Sequence, residues 1–209
     1  MKIFCTEYPL LSRNPLGEKP GIGQIFLRGD SSINNSGKVL SLPWWSKAVG
    51  FVPLLAVRVG RVGRAFEAVH ADRYYEEMAL GIGFADLELF KRALDQSEDP
   101  SLSYNFDGSL FLSSFYPKAR FPEEIPFVDF SGEDRSEGCL SVRVSEERIA
   151  GTLALLSRYY LMKMGDVVTF PLSDSFERVA GDMRRLYEGS EGEVLLDFGV
   201  RVFRSNFTP

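Results

Sequence analysis

FVPLLAVRVGRVGR, residues 51–64, is the apolar segment at the centre of the fold expected for this chain. It is apolar from Phe51 to Val59 apart from Pro53 and Arg58, and it breaks at Gly60. Such a run predicts a buried strand that ends in a turn. Side chains alternate along a strand, so Val52 and Leu54 point to one face. Arg58, Arg61 and Arg64 follow at its end. They either gather an anionic ligand or form a solvated strand end.

After this run, residues 67–75 read as a short amphipathic piece containing His70, the one histidine of the chain. With no Cys or His neighbour it is not a metal ligand. Residues 77–85 read as a second strand. A helix over residues 86–95 follows, capped by Asp86, with Leu87, Phe90 and Leu94 on one face. Residues 97–103 form a Ser/Asp/Pro linker. Two strands are expected at 126–130 and 139–144, around a polar turn at 131–138. Ser145 caps a further helix with Glu146 and Glu147 in its first turn, where they favour the dipole. Ile149, Leu153, Leu156 and Tyr160 recur at helical spacing, and Gly165 supplies the turn into the next strand. A strand over residues 194–203 closes the chain.

On the other side, residues 1–23 read as irregular, too rich in Pro and Gly for a helix or a long strand. Residues 24–28 and 38–42 read as strands. Trp44 and Trp45 either stack on a ligand, bury area at the core edge or cover a partner subunit. Segment 1–45 therefore reads as an irregular, lid-like N-terminal region with two short strands, and 46–209 as the core domain.

The chain has 209 residues, 44% of them apolar, and a net charge of -5. That length fits one large domain, or one with a small extension. The acidic balance argues against a general nucleic-acid binder. The opening residues lack a basic region followed by a long apolar run, so no signal peptide is expected. No apolar run approaches the ~18 residues that a membrane span needs. Cys5 and Cys139 are too few for a disulfide framework and cannot build a zinc site alone. A cytoplasmic location follows by default.

Several motifs resemble the fumarylacetoacetate hydrolase (FAH) family, in order, from about residue 24 to residue 203. Gln24-Ile25-Phe26-Leu27-Arg28 is similar to its F-x-K-P segment, with Arg28 at the lysine and Gly29 at the proline. Residues 78–86, MALGIGFAD, resemble G-Y-T-x-x-N-D-x-[ST]-A-R-D. Tyr104-Asn105-Phe106-Asp107-Gly108 resembles K-x-F-D-G, with F-D-G intact. Residues 157–169, SRYYLMKMGDVVT, resemble S-x-x-x-T-L-x-x-G-D-x-x-x-T, and a second Gly-Asp turn stands at Gly181-Asp182.

The resemblance implies an α+β, β-rich fold of mixed sheets rolled around a central cavity, usually as a homodimer. It also implies Mg²⁺- or Mn²⁺-dependent hydrolysis, decarboxylation or isomerisation of β-keto and related dicarboxylic acids. The residues depart from that chemistry. The family's E-x-E metal ligands fall on Val52 and Leu54, and its third ligand, an aspartate, on Gly83. The substrate lysine falls on Tyr104, and the G-T-P loop on Phe170-Pro171-Leu172. The His/Glu base pair of the lid is missing, with Glu18 either a leftover acid or a solvated loop residue. Hard cations need several oxygens in near-fixed geometry; valine, leucine and glycine offer none.

The expectation is therefore a degenerate member without a metal cofactor, serving as a binding or assembly module. The alternative is an enzyme of keto or dicarboxylic acids with relocated ligands such as Asp86, Glu88 or Asp107. Arg28, Tyr104, Asp107 and Thr169 are the candidate pocket residues, at or near the rim of the old hollow. They either hold a small carboxylate, or Phe170 and Tyr104 fill the space.

Overall fold

The structure is a computed structural model. It describes residues 1–6, 25–34, 45–46, 48–129, 136–142, 144–173, 177–178, 186–188, 193–197 and 201–206. The expected strand at 38–42, Glu18, Trp44 and the Gly181-Asp182 turn lie outside them.

The apolar run becomes β3, Val49–Val59, buried along nearly its whole length. It pairs antiparallel with β4, Tyr75–Asp86, on one side and with β9, Val167–Pro171, on the other. β1, Ile3–Thr6, runs parallel to β9, and β2, Ile25–Arg28, pairs antiparallel with β1. On the far side, β5, Leu110–Leu112, pairs with β4. The path β2-β1-β9-β3-β4-β5 is the body of an eight-stranded sheet, in which β6, Tyr116–Pro117, pairs with β4 and β10, Glu177–Arg178, with β3. Strands from before residue 46 thus belong to the same sheet as those after it.

That sheet curls until its ends approach. Ile33, shortly after β2, forms a parallel bridge with Leu110 of β5. Asn34 N–H donates to the Leu110 carbonyl at 2.8 Å, and Gly108 N–H to the Ser31 carbonyl at 3.2 Å. A sheet has one concave and one convex face, and alternation sends Val52, Leu54 and Ala56 to one and Leu55, Val57 and Val59 to the other. The second set packs with Ile149, Leu153 and Leu156 of α3, Glu146–Tyr159. A 3₁₀ turn at Ala68–Tyr74 covers the same face. The first set packs with Ile3, Cys5, Val167, Phe90 and Tyr104. The last two come from α1, Leu87–Asp95, and α2, Ser101–Tyr104.

Local signals account for the helices. The Asp86 carboxylate accepts from Leu89 N–H at 2.7 Å and caps α1. Ser145 does the same for α3 through Arg148 N–H at 3.2 Å. Gly165 takes a φ of 86°, which a side chain resists. Asp166 then accepts from the main-chain N–H of Lys2 and of Lys163, each at 2.8 Å, and holds the chain start against β9.

A second sheet, in the order β11-β12-β13-β7-β8, comprises Leu186–Glu188, Glu193–Asp197, Arg201–Asn206, Glu124–Asp129 and Ser136–Ser141.

Four expectations are corrected. The closing segment 194–203 is not one strand but the hairpin β12–β13. The linker at 97–103 already contains the start of α2. On α1, Ala93 rather than Leu94 joins Phe90 in the core, and Leu94 is exposed. Residues 3–6, expected to be irregular, form β1. Of the two readings of the arginines at the end of β3, the structure agrees with the solvated strand end: Arg58 pairs with Glu77 at 2.7 Å and lies over the Phe115 ring, while Arg61 and Arg64 are exposed.

Candidate functional site

β3 and β4 bring the three positions of interest together. Val52 is the register partner of Gly83, and Leu54 lies one pleat further along the same face. A Cβ built on Gly83 would lie 3.2 Å from Leu54 Cδ1 and 3.6 Å from Val52 Cγ1. Val52 and Leu54 are buried. Each stabilises the fold by roughly 1.5–3 kcal/mol relative to an exposed side chain. Among the described residues, no three His, Cys, Asp or Glu side chains come close enough to hold a metal ion. A hard divalent cation and this set of hydrocarbon groups do not fit each other.

The same Gly83 Cβ would lie 3.3 Å from Nη2 of Arg28. Arg28 sits at the end of β2, and its guanidinium crosses the inside of the roll to the opposite end of the sheet. Nη1 donates to the Ser109 carbonyl at 3.0 Å and to Ser109 Oγ at 2.7 Å; Nη2 donates to the Phe84 carbonyl at 3.5 Å. Ser109 Oγ donates in turn to the Tyr104 carbonyl at 2.8 Å. The Arg28 guanidinium lies 5.6 Å from the Tyr104 ring centre, near enough for a cation–π contact. Burial pulls the pKa of Arg28 down, opposed by the Cys5 thiol and Tyr104 beside it; arginine stays charged through such shifts. Burial likewise pushes the Tyr104 hydroxyl up, with help from Asp99 and Cys5 and against Arg28.

The four candidate pocket residues do not line one rim. Arg28, Tyr104 and Thr169 are all buried in the interior. Tyr104 is wedged edge-on against Phe26, with centroids 5.4 Å apart, and tilted against Phe90 at 6.5 Å. Thr169 is the register partner of Cys5 and of Ala56, and its Oγ1 has no hydrogen-bond partner among the described residues. Asp107 is exposed on the turn before β5. Phe170 points the other way from Thr169 and packs on the α3 side, because adjacent strand residues face opposite sides. Tyr104 therefore fills the interior and Phe170 does not.

The relocated acids fare no better as a set. Asp86 is buried and committed to its cap, while Glu88 and Asp107 are exposed. Sequence reasoning missed Ser109 and Cys5. Ser109 directly follows the intact F-D-G, which was its available signal; Cys5 had none, since β1 lies in a segment read as irregular. Trp45 is half-exposed and meets Phe106 edge-on at 6.0 Å. A hollow of about 700 Å³ lies on the opposite, α3 side of the sheet, bounded by Leu55, Tyr75, Met78, Phe121 and Ile149.

Solved structures share this architecture. A fumarylpyruvate hydrolase from Pseudomonas aeruginosa, in complex with Mn²⁺ and pyruvate, superposes with a TM-score of 0.66 at 17% identity, over 97% of this chain and 88% of that one. A fumarylacetoacetate hydrolase family protein from Yersinia pestis CO92 gives 0.72 at 19% identity, over 97% and 91%. The fold is that of the FAH family. A 5-carboxymethyl-2-hydroxymuconate delta-isomerase from Mycobacterium smegmatis has it too, at a TM-score of 0.62 and 15% identity, over 85% of this chain and 70% of the other. No family model and no curated protein sequence matches the chain. No helix among the described residues is long and apolar enough to cross a membrane.

Proposed function

We propose that this chain is an FAH-family protein that performs no divalent-metal-dependent catalysis and serves as a binding or assembly module. One observation carries the reading: Val52, Leu54 and Gly83 converge, and what they converge on is hydrocarbon and a guanidinium. Hydrolases and isomerases with this fold, such as those from Pseudomonas aeruginosa and Mycobacterium smegmatis, set the alternative. On that alternative the chain turns over a keto or dicarboxylic acid with Asp86, Glu88 or Asp107 as relocated ligands. The commitment of Asp86 to its helix cap counts against it. A small carboxylate beside Arg28 ranks below a surface role, since Tyr104 and its aromatic neighbours occupy the space around the guanidinium. A homodimer in the cytoplasm is the setting we assign.

The test is metal content of the purified protein by mass spectrometry, with thermal shift and keto-acid turnover in added Mg²⁺ or Mn²⁺. The expected result is substoichiometric metal, no shift and no turnover above the buffer rate. An equimolar metal or Mn²⁺-stimulated turnover sinks the reading. Light scattering decides the dimer.

A further inference from the structure

We propose that Arg28 supplies the fixed internal cation of this roll, with the side-chain space at Gly83 taken by its guanidinium together with Leu54. The inference rests on the metal-free reading above and adds to it what stands in the interior instead.

The geometry is specific. Arg28 starts on β2 and ends against β4 and the residue before β5, so its side chain spans the inside of the curled sheet. Its two terminal nitrogens are oriented by three acceptors, the Ser109 carbonyl, Ser109 Oγ and the Phe84 carbonyl. Ser109 is itself fixed: its Oγ donates to Tyr104, and its carbonyl also accepts from Phe84 N–H at 2.8 Å. A guanidinium held this way cannot swing aside for a second cation. The distance of 3.3 Å from Nη2 to a Cβ at residue 83 is tighter than ordinary van der Waals contact. Most side chains at 83 must therefore displace either Arg28 or Leu54. A carboxylate is the exception, because its oxygens become partners of the guanidinium. A positive charge in this place also repels Mg²⁺ or Mn²⁺ at a distance where little water screens it.

The consequence is a chemical preference at residues 83 and 52: an introduced acid is read by Arg28 rather than by a metal. The experiment compares Gly83→Asp with Gly83→Asn, which differ in charge but hardly in shape, in the wild-type background and with Arg28→Met. Val52→Asp and Val52→Asn repeat the comparison without adding bulk, should residue 83 tolerate neither side chain. With Arg28 present the Asp variant is expected to melt above the Asn variant by about 5 °C or more. With Arg28→Met the order reverses, because the carboxylate is then buried without its partner. Millimolar Mn²⁺ is expected to shift none of the Arg28-containing proteins. Asp and Asn variants melting alike at both positions, or in the same order with and without Arg28, overturn the inference. A Mn²⁺ shift in the wild type overturns the metal-free reading, and the Asp/Asn order then judges Arg28 separately.

Discussion

Placing glutamates at the two β3 positions, Val52→Glu with Leu54→Glu, creates the E-x-E pattern and is expected to unfold the protein rather than give it a metal site. Both side chains are buried, with 1% and 5% of their surface exposed. Removing them forfeits roughly 3–6 kcal/mol of apolar burial in total. Arg28 can meet one new carboxylate across Gly83. The second stays buried beside a like charge, and an unpaired buried charge costs about 3–5 kcal/mol. The sum, about 6–11 kcal/mol, is comparable with the whole stability of a domain, about 5–15 kcal/mol. At about 2–4 °C per kcal/mol for a chain of this size, the double variant should melt tens of degrees below wild type or fail to fold. Val52→Glu alone should fall by less than half as much, since its one carboxylate has Arg28 to pair with. Circular dichroism melts with and without millimolar Mn²⁺ supply the readout. A double variant that melts with the wild type would mean that these side chains do not sit in the core. One rescued by Mn²⁺ would mean that Arg28 yields to a metal, against the geometry described above.

Two further outcomes follow from single side chains. Asp86→Ala should cost about 0.5–2 kcal/mol by uncapping α1, read as a lower melting temperature, and should leave any response to Mn²⁺ unchanged; a metal response that depends on Asp86 would revive the relocated-ligand reading. Burial, then Asp72 and Glu146, push the Tyr75 hydroxyl up to about 12, against about 10 in the unfolded chain. The folded state thus holds this proton more tightly, so its contribution is complete below pH 10 and is lost as pH rises from 10 to 12. Tyr75→Phe should flatten the alkaline fall in stability over that window, and an unaltered slope in urea titrations at pH 9–12 would contradict the assignment.

Much of the fold was legible because its carriers are local. A strand as apolar as β3 has to be buried, and the caps Asp86 and Ser145 and the turn at Gly165 are short-range features that a sequence spells out directly. That positions 52, 54 and 83 offer no side-chain oxygen was legible for the same reason: it concerns only which residue types stand there. Contacts between distant segments were not. Arg28 lies 81 positions from Ser109, and nothing in the spacing between them foretells that the sheet curls far enough for a guanidinium on β2 to reach the residue before β5. Nor does spacing give burial: Arg28, Tyr104 and Thr169, expected at or near a rim, are buried, and parity along β9 sent Phe170 to the helix side. Residue identity alone therefore settled what chemistry positions 52, 54 and 83 cannot do. Which group occupies their shared space was decided only by closure of the roll, because a long, charged side chain goes where the folded backbone offers it acceptors.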